Sequence, residues 1–515
     1  MMRAFATVGL WTMLSRILGF VRDIMIAAFL GAGPAAEAFV IAFSLPNMFR
    51  RFFAEGAFNT AFVPMFSKKL EAGDDPEGFA RDALTGLALI LMVLTVVALF
   101  AMPWLVLAMA SGFAGDARFD TAVLYGRIAF PYILFISLAA LASGVLNASR
   151  RFVAAAAAPV ALNVLFIAAL LIAAQRGWDV GLALAVTVPI AGVAQLLLVW
   201  VAARRAGITL LPRRPRWTPE LKRLAIIAAP AALAGGVVQV NLLVGRQVAS
   251  YFDGAAAWLY YADRLYQLPL GVVGIAIGIV LLPDLSRRLQ ADDTDGGQAA
   301  FSRATELSLA LTLPAAVALV VVPLSLVSVL FMRGAFSSED AQFTAFATAI
   351  YGLGLPAFVL QKVLQPLYFA REDTRRPFRF ALVAMVVNAA LAIGLAPVVG
   401  YIAAAIGATV AGWAMTWLLW HQSRAMGTAA TLDARVRERA PRILLASLAM
   451  GVVLAIAQWG MSDALQLDGW RYAALAALIA IGIVSYAIAA QLLGAFTLSE
   501  LRSQLRRSAP SEPAQ

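Results

Sequence analysis

Cysteine is absent from the 515-residue chain, and histidine occurs only once, as His421. The lack of cysteine excludes a disulfide framework, thiolate metal sites and a cysteine nucleophile. His421 falls at the end of an apolar stretch beside a basic loop, a position typical of a membrane interface, so we assign it no catalytic role. Charged residues are also scarce, at 13% of the chain.

Most of the chain is instead apolar. The chain is 62% hydrophobic with a mean hydropathy of +0.83, whereas soluble domains are roughly half apolar. A helix that spans the hydrocarbon core of a bilayer needs about 20 mostly apolar residues, so the chain is long enough for a dozen or more spans. We therefore predict an all-α polytopic membrane protein with little length left for a soluble domain.

Apolar stretches separated by glycine, proline or charge clusters predict about fourteen transmembrane helices. The first six cover approximately residues 5–30, 35–66, 80–110, 121–148, 153–175 and 179–203. The other eight cover approximately 222–250, 255–286, 302–331, 340–370, 377–397, 399–422, 441–461 and 470–494. Arg16 interrupts the first apolar run and no small-residue cleavage site closes it, so we expect a mature first span rather than a signal peptide.

The net charge of +11 is explained by loops rather than by a nucleic-acid partner. Alternate loops concentrate lysine and arginine, as at Lys68–Lys69, Arg150–Arg151, Arg204–Arg205, Arg287–Arg288 and Arg375–Arg376, while the opposite loops are short and hold only a few, such as Arg118 and Arg333. The positive-inside rule then places the basic loops and both termini in the cytoplasm. The tail LSELRSQLRR resembles a basic amphipathic surface anchor.

An internal repeat divides the chain. VPMFSKKLEAGDD, from Val63, matches LPDLSRRLQADDT, from Leu282, at a constant offset of 219 residues. Each half holds six predicted helices, an even number, so the halves insert in the same orientation as a parallel repeat with a cavity between them. We predict an N-terminal lobe (1–215), a C-terminal lobe (216–430), an additional helix pair (431–497) and a basic cytoplasmic tail (498–515).

Ionisable residues inside the predicted spans are the most informative feature, because each costs about 2.5–3.5 kcal/mol at the bilayer centre. They are Arg16, Arg22 and Asp23 in the first span, Glu37, Arg50, Arg51 and Glu55 in the second, Arg246 in the seventh, Asp263 and Arg264 in the eighth, and Lys362 in the tenth. Seven basic residues facing lipid would together cost on the order of 20 kcal/mol. We therefore expect them to face a hydrated cavity or each other.

Position within the spans sharpens this expectation. Arg16 and Asp23 are seven residues apart and share a helix face, and Pro46 can break the second helix near mid-membrane ahead of Arg50. The repeat brings Arg264 of the other half to the same cavity. Since arginines outnumber acids and guanidinium groups suit bidentate phosphate binding, the set predicts a site for an anion.

Other interpretations of these residues stay open. Arg51 with Glu55, and Arg22 or Arg16 with Asp23, can also form structural ion pairs that fix helix packing. Arg246 and Lys362 fit structural or snorkelling positions, and Glu37 fits a solvated position near the periplasmic boundary. Trp258, Tyr260 and Tyr261 begin the eighth span at the height of an interfacial belt, which favours membrane anchoring.

Four segments together carry a family resemblance. LSRILGFVRD (14–23), FLGAGPAAEAF, LPNMFRRFFAEGAFNTAFVP (45–64) and YYADRLYQLPLGVVGIAIG (260–278) resemble the MurJ (MviN) lipid II flippases of the multidrug/oligosaccharidyl-lipid/polysaccharide exporter superfamily. The resemblance implies a fourteen-helix fold in the bacterial inner membrane, with two six-helix lobes and a terminal pair that forms a groove for a polyprenyl tail. It also implies movement of lipid II from the cytoplasmic to the periplasmic leaflet for cell-wall synthesis.

Carried over by position, the resemblance makes Arg16, Arg22, Arg50 and Arg264 the cavity arginines, with Asp23 and Glu37 beside them and Glu55 in the FAEGAF motif. Arg51 and Asp263 are expected to support or gate the same cavity. Two departures limit the likeness. Gln267 stands where similar proteins have an acid, and the seventh span offers Asn241 and Arg246 with no acid before Asp253, which speaks against a sodium site.

Together, these arguments predict a monomeric transporter that needs no cofactor. We expect it to bind the pyrophosphate of lipid II through the arginines and to work by alternating access. We also expect its transport cycle to be coupled to the membrane potential. A multidrug exporter of the same superfamily is one alternative, although such proteins move mostly cations and this cavity is positive. A membrane enzyme acting on polyprenyl phosphates would need clustered acids or histidines near the cytoplasmic face. A scaffold without transport activity is the third alternative.

Overall fold

The computed structural model describes residues 2–50 and 57–496 of the chain, and these residues form helices and turns without a strand. The first nine α-helices are α1 (Met2–Leu30), α2 (Pro34–Arg50), α3 (Ala57–Ala72), α4 (Pro76–Met109), α5 (Ala117–Ala129), α6 (Tyr132–Ala148), α7 (Val153–Arg176), α8 (Val180–Arg205) and α9 (Pro219–Ala249). The others are α10 (Ala255–Gln290), α11 (Thr294–Val321), α12 (Pro323–Phe331), α13 (Ser338–Phe369), α14 (Arg375–Val399), α15 (Ile402–Ser423), α16 (Ala434–Gly460), α17 (Ser462–Gln466) and α18 (Arg471–Leu492). The predicted all-helical class is confirmed.

Prolines divide two helices that the apolar pattern predicts as continuous. The predicted helix 121–148 is α5 and α6, which meet at Phe130 and Pro131, and the predicted helix 302–331 is α11 and α12, which meet at Val322 before Pro323. Proline disfavours the helical region for the residue before it, and Val322 before Pro323 has left that region (φ −121°, ψ 37°). Phe130 before Pro131 keeps helical dihedrals (φ −60°, ψ −35°), so at that position the missing amide hydrogen of proline interrupts the helix. Hydropathy alone does not register this effect.

Pro46 has the opposite outcome, and the predicted break there is wrong. Helix α2 continues through Pro46 to Arg50. The side chain of Asn47 donates to the carbonyl of Phe43 (2.8 Å), and Ser44 donates to the carbonyl of Val40 (2.6 Å). Polar side chains can satisfy carbonyls around a proline inside a membrane helix, and so keep the helix continuous.

Ten segments of the described chain are long and apolar enough to cross a membrane. They correspond to ten of the fourteen predicted spans. The four predicted spans outside this set are 5–30, 35–66, 222–250 and 255–286, which hold every predicted intramembrane charge except Lys362. The count of fourteen therefore stays a prediction, and the open part of it concerns the charge-bearing helices α1, α2, α9 and α10.

The internal repeat has a matching local geometry in both halves. After α3, Lys69 Nζ donates to Asp74 Oδ2 (2.7 Å), and after α10, Arg288 Nη1 donates to Asp293 Oδ2 (3.0 Å). The residue before each acid has a left-handed backbone, with φ of 66° at Gly73 and 53° at Asp292. Corresponding sequence positions thus form corresponding turns, as the repeat predicts.

The chain forms two compact units, and each has its own packing. The first comprises Met1–Tyr261, Phe331–Asp340 and Leu395–Ala404, and in it α8 packs on α6 and α7 while α1 packs on α7. The second comprises Ala262–Leu330, Ala341–Gly394 and Ala405–Gln515, and in it α16 packs on α11 and α18. The lobe boundaries predicted at residues 215 and 430 stay predictions.

Candidate functional site

Arg22 lies in a buried polar network inside the first unit. Only 8% of Arg22 and 3% of Asp23 are exposed. The Nε and Nη2 atoms of Arg22 donate to Asp23 Oδ1 at 3.0 and 2.7 Å, and its Nη1 donates to Asn163 Oδ1 at 2.9 Å. This geometry is the Arg22–Asp23 ion pair that the sequence left open as a structural alternative.

Two further helices hold this network in place. Asn163, on α7, donates from Nδ2 to the backbone carbonyl of Ser15 on α1 (2.9 Å), and Tyr260, on α10, donates from its hydroxyl to Asp23 Oδ1 (3.0 Å). The sequence places Tyr260 in an interfacial belt and does not single out Asn163. Asn163 had a usable signal, because it is the one amide inside α7 before its last turn, in a run otherwise composed of apolar residues and Pro159.

The other two predicted arginines of the first unit lie apart from this network. Arg16 is exposed on α1, and within residues 2–50 and 57–496 it forms no hydrogen bond or ion pair. Arg50 is half-buried at the end of α2, where its Nε donates to Asn47 Oδ1 at 3.3 Å. An anion would therefore meet an exposed guanidinium at Arg16 and a buried, hydrogen-bonded one at Arg22.

The predicted residues of α10 belong to the second unit. Arg264 and Asp263 are both half-buried, and Asp263 accepts a hydrogen bond from Gln267, one turn further along α10. Convergence of Arg264 with Arg16, Arg22 and Arg50 stays a prediction. Arg51 and Glu55 lie outside the described residues.

Glu37 is buried, so the solvated position that the sequence allowed is wrong. It is 1% exposed and pairs through Oε2 with Arg118 Nη1 at 3.0 Å, while Oε1 accepts from the backbone N–H of Ala256 at 3.2 Å. The sequence grouped Arg118 with loop cations, yet its side chain is only 7% exposed. The guanidinium of Arg118 also pairs with Asp116 (2.5 Å) and Asp253 (3.0 Å). These carboxylates compensate the charge of the buried arginine.

Asp116 also begins α5. Its Oδ1 accepts the backbone N–H of Arg118 at 3.0 Å, and its Oδ2 accepts the guanidinium. These two bonds, the backbone one first, hold the pKa of the Asp116 carboxyl below its ordinary value. The cluster of Glu37, Arg118, Asp116 and Asp253 joins α2, α5 and the α9–α10 turn into one charged clasp, hereafter the Arg118 clasp.

The aromatic residues at the start of α10 have structural partners. The prediction of a membrane-anchoring belt is wrong for the buried Tyr261, and for the half-buried Trp258 and Tyr260 it stays a prediction. Tyr261 is fully buried and its hydroxyl donates to the carbonyl of Gly31 at 2.8 Å. Trp258 donates from Nε1 to Asp340 Oδ1 at 2.7 Å and packs edge-on against Tyr401. Tyrosine and tryptophan find hydrogen-bond partners when buried, so amphipathic composition alone does not distinguish the two settings.

The remaining charges divide by exposure. Lys362 is exposed and Arg246 is half-buried. Within the described ranges, no group of three or more histidine, aspartate or glutamate side chains could hold a metal ion.

An apolar cavity lies in the second unit among α11, α16 and α18. Its volume is about 420 Å³, and its lining includes Pro314, Met450, Leu454, Leu475 and Leu478. The helices α16 and α18 are the pair that the sequence placed outside the repeat. Their apolar surface therefore includes a concave portion that faces α11.

Comparison with known proteins identifies the family. A sequence model described as "Lipid II flippase MurJ" matches residues 26–468. The chain is 44% identical to a probable lipid II flippase MurJ of Rhizobium meliloti (strain 1021), over 99% of this chain and 97% of that protein. The chain belongs to the lipid II flippase MurJ family. Its likeness to the Rhizobium tropici protein of the same description is 42% over 99% of this chain and 98% of the relative.

Solved structures show the same fold. A structure described as lipid II flippase MurJ in an inward closed conformation matches 94% of this chain and 98% of its own, with a TM-score of 0.80 and 24% identity. An inward-facing multidrug resistance MATE family transporter of the MOP superfamily matches 81% of this chain and 96% of its own, with a TM-score of 0.67 and 15% identity. The protein is therefore a multi-pass membrane transporter of the MurJ family.

Proposed function

We propose that this chain moves lipid II, an undecaprenyl-pyrophosphate-linked disaccharide-peptide, from the cytoplasmic to the periplasmic leaflet. The observation that carries the proposal is the 44% identity, along 99% of the chain, to a relative named as a probable lipid II flippase. The buried and exposed arginines of α1 supply the chemistry that such an anionic substrate requires. The protein acts by transport and makes no covalent change in its substrate.

The pyrophosphate is bound by guanidinium groups. Arg16, Arg22, Arg50 and Arg264 supply the positive charge, and Asp23, Glu37, Arg51, Glu55 and Asp263 support the site. Arg22 has a fixed orientation, because Asn163 and Asp23 accept from three of its N–H groups in a buried setting, and it contributes to the site as a positioned charge. Arg16 is supported by its exposure, which leaves its guanidinium accessible to an incoming phosphate.

Placement of the lipid follows from the polarity of its parts. The sugar and peptide stay in a hydrated chamber, so their desolvation is avoided, and the polyprenyl tail runs along α16 and α18, whose apolar cavity supports this assignment. Rocking of the lobes exposes the site to each side of the membrane in turn. Moving one elementary charge through a membrane potential of about 100 mV changes the free energy by roughly 2.3 kcal/mol. This energy returns the lobes to the cytoplasm-facing conformation without a cofactor or a sodium ion.

The chain works as a monomer in the bacterial inner membrane with both termini in the cytoplasm. Basic clusters at the ends of helices support this orientation, for example Arg204 and Arg205 at the end of α8.

Depletion of the protein in cells tests this function. Lipid II should accumulate in the cytoplasmic leaflet and become inaccessible to a probe added from the periplasm. Arg16→Ala should fail to restore access although it inserts normally, because Arg16 is exposed and its loss leaves packing intact. The matched control is Arg214→Ala, which removes an exposed loop arginine and should restore access fully. Unchanged access after depletion would refute the proposal, and a covalent product made from the lipid by purified protein would favour an enzyme.

A further inference from the structure

A second concave surface lies in the first unit, where α6, α7 and α8 end near the start of α1. Its volume is about 930 Å³, and its lining runs from Thr7 through the α6–α7 turn to the last two turns of α8. Apolar side chains form its wall, and several of them are exposed on the outer surface, including Val153 (54%), Leu197 (49%) and Val201 (39%). In a membrane protein, such a surface faces lipid tails.

Three arginines edge this groove. Arg150 and Arg151 occupy the α6–α7 turn, and Arg205 ends α8. All three are exposed, and across residues 2–50 and 57–496 none forms a salt bridge with a carboxylate. The groove therefore combines an apolar wall with an uncompensated charge at the level where membrane spans end.

The turn itself does not require arginine. Arg150 has a left-handed backbone (φ 59°), and the N–H of Arg151 donates to the carbonyl of Leu146 at 2.8 Å, which closes α6. The corresponding turn after α13 has the same form: Glu372 is left-handed (φ 58°), and the N–H of Asp373 donates to the carbonyl of Tyr368 at 3.0 Å. The same turn conformation is thus formed by two acidic residues after α13 and by two arginines after α6.

The two turns also differ in how the next helix begins. Asp373 Oδ1 accepts the backbone N–H of Arg376, in the first turn of α14, at 3.1 Å. At α7, the N-cap is Phe152, and no described side chain caps the helix. The first-turn N–H groups of α7, beside Arg150 and Arg151, are thus available to an acceptor from outside the chain.

We propose that this groove binds an anionic glycerophospholipid, with its phosphodiester at Arg150, Arg151 and Arg205 and one acyl chain along Leu197 and Val201. Charge complementarity favours an anionic headgroup over a zwitterionic one, because three arginines that form no ion pair with a carboxylate lie at the level of the membrane interface. The apolar wall selects a lipid over a soluble phosphate, because only a lipid fills both parts. The site is independent of the proposed flippase activity and lies wholly within the first unit.

Lipid binding to the purified full-length protein tests the proposal. The protein is placed in nanodiscs of phosphatidylcholine with increasing phosphatidylglycerol, and lipids retained after gentle extraction are counted by native mass spectrometry. The triple variant Arg150→Gln/Arg151→Gln/Arg205→Gln should bind phosphatidylglycerol at least tenfold more weakly than the unmodified protein. Phosphatidylcholine retention should not change.

Two variants separate this site from general electrostatic attraction. Arg214→Gln/Arg216→Gln/Arg223→Gln removes the same charge from exposed positions of the α8–α9 region outside the groove and should retain phosphatidylglycerol.

Ala202→Phe fills the groove but leaves its arginines in place, and it should weaken binding like the triple groove variant. Equal loss in the two triple variants, unchanged binding by Ala202→Phe, or equal competition by soluble glycerol phosphate would each overturn the proposal. Since binding is read without transport, failure here leaves the proposed flippase activity untouched.

Discussion

The Arg118 clasp offers a sharp test of how this fold tolerates buried charge. In the variant Arg118→Leu, Glu37 keeps only hydrogen bonds from backbone N–H groups, such as that of Ala256, at a site that is 1% exposed. Removing one partner of a buried ion pair costs about 3–5 kcal/mol, because the other charge is left buried. We expect a loss of this size in the free energy of unfolding.

The reciprocal variant should be milder. In Glu37→Gln, the amide oxygen can still accept from Ala256, and Arg118 keeps Asp116 and Asp253. One charge-assisted hydrogen bond is lost, for which the expected cost is about 1.5–3 kcal/mol. The double variant Glu37→Gln/Arg118→Leu should be more stable than Arg118→Leu alone, since no buried carboxylate remains.

Steric-trapping measurements of unfolding in mixed micelles give these free energies. The matched control is Arg127→Leu on the same helix, where an exposed guanidinium donates to the carbonyl of Leu99, and it should cost about 1 kcal/mol or less. If Arg118→Leu were no more destabilising than Arg127→Leu, the buried pair would not have the energetic role assigned to it.

Three further predictions follow from the described contacts. Asn163→Ala removes a partner of Arg22 and should cost about 1–3 kcal/mol and weaken lipid II transport, whereas normal complementation at normal stability would contradict its positioning role. Gly31→Ala should cost about 1–3 kcal/mol, because Gly31 has φ of 66° and a Cβ there would lie 2.4 Å from a carbonyl oxygen. Its control is Gly33→Ala, whose Cβ meets no described atom within 4 Å and which should leave the melting temperature nearly unchanged. Glu306→Gln replaces a carboxylate that accepts from two arginines of α16 and should cost about 2–4 kcal/mol by the same unfolding measurement; a variant as stable as the unmodified protein would show that these ion pairs do not stabilise the packing of α16.

Much of the fold could be predicted from the sequence because bilayer physics is simple. Long apolar runs must become helices, since no water is available for the backbone. Position-specific effects were harder to predict. Pro131 and Pro323 divide helices while Pro46 does not, and the difference lies partly in side chains such as Asn47, whose hydrogen bonds depend on three-dimensional context.

The candidate site was predictable in composition but less so in pairing. The rarity of charges in spans drew attention to Arg22 and Glu37, and both side chains are buried, although their part in substrate binding stays a prediction. The partner of Glu37 is Arg118, whose sequence position suggests a solvent-facing loop and whose burial depends on the close approach of α2 and α5. Tyr260 resembles an interfacial residue until its hydrogen bond to Asp23 is known.

The most direct measurement uses liposomes that contain the purified protein as their only protein component, with lipid II in both leaflets. After outer-leaflet lipid II is modified by a membrane-impermeant reagent, protected lipid II should become accessible in the presence of the unmodified protein and of Arg214→Ala. Arg16→Ala should leave it protected. If the unmodified, correctly folded protein exposed no more lipid II than empty liposomes do, lipid II transport would not be the activity of this chain.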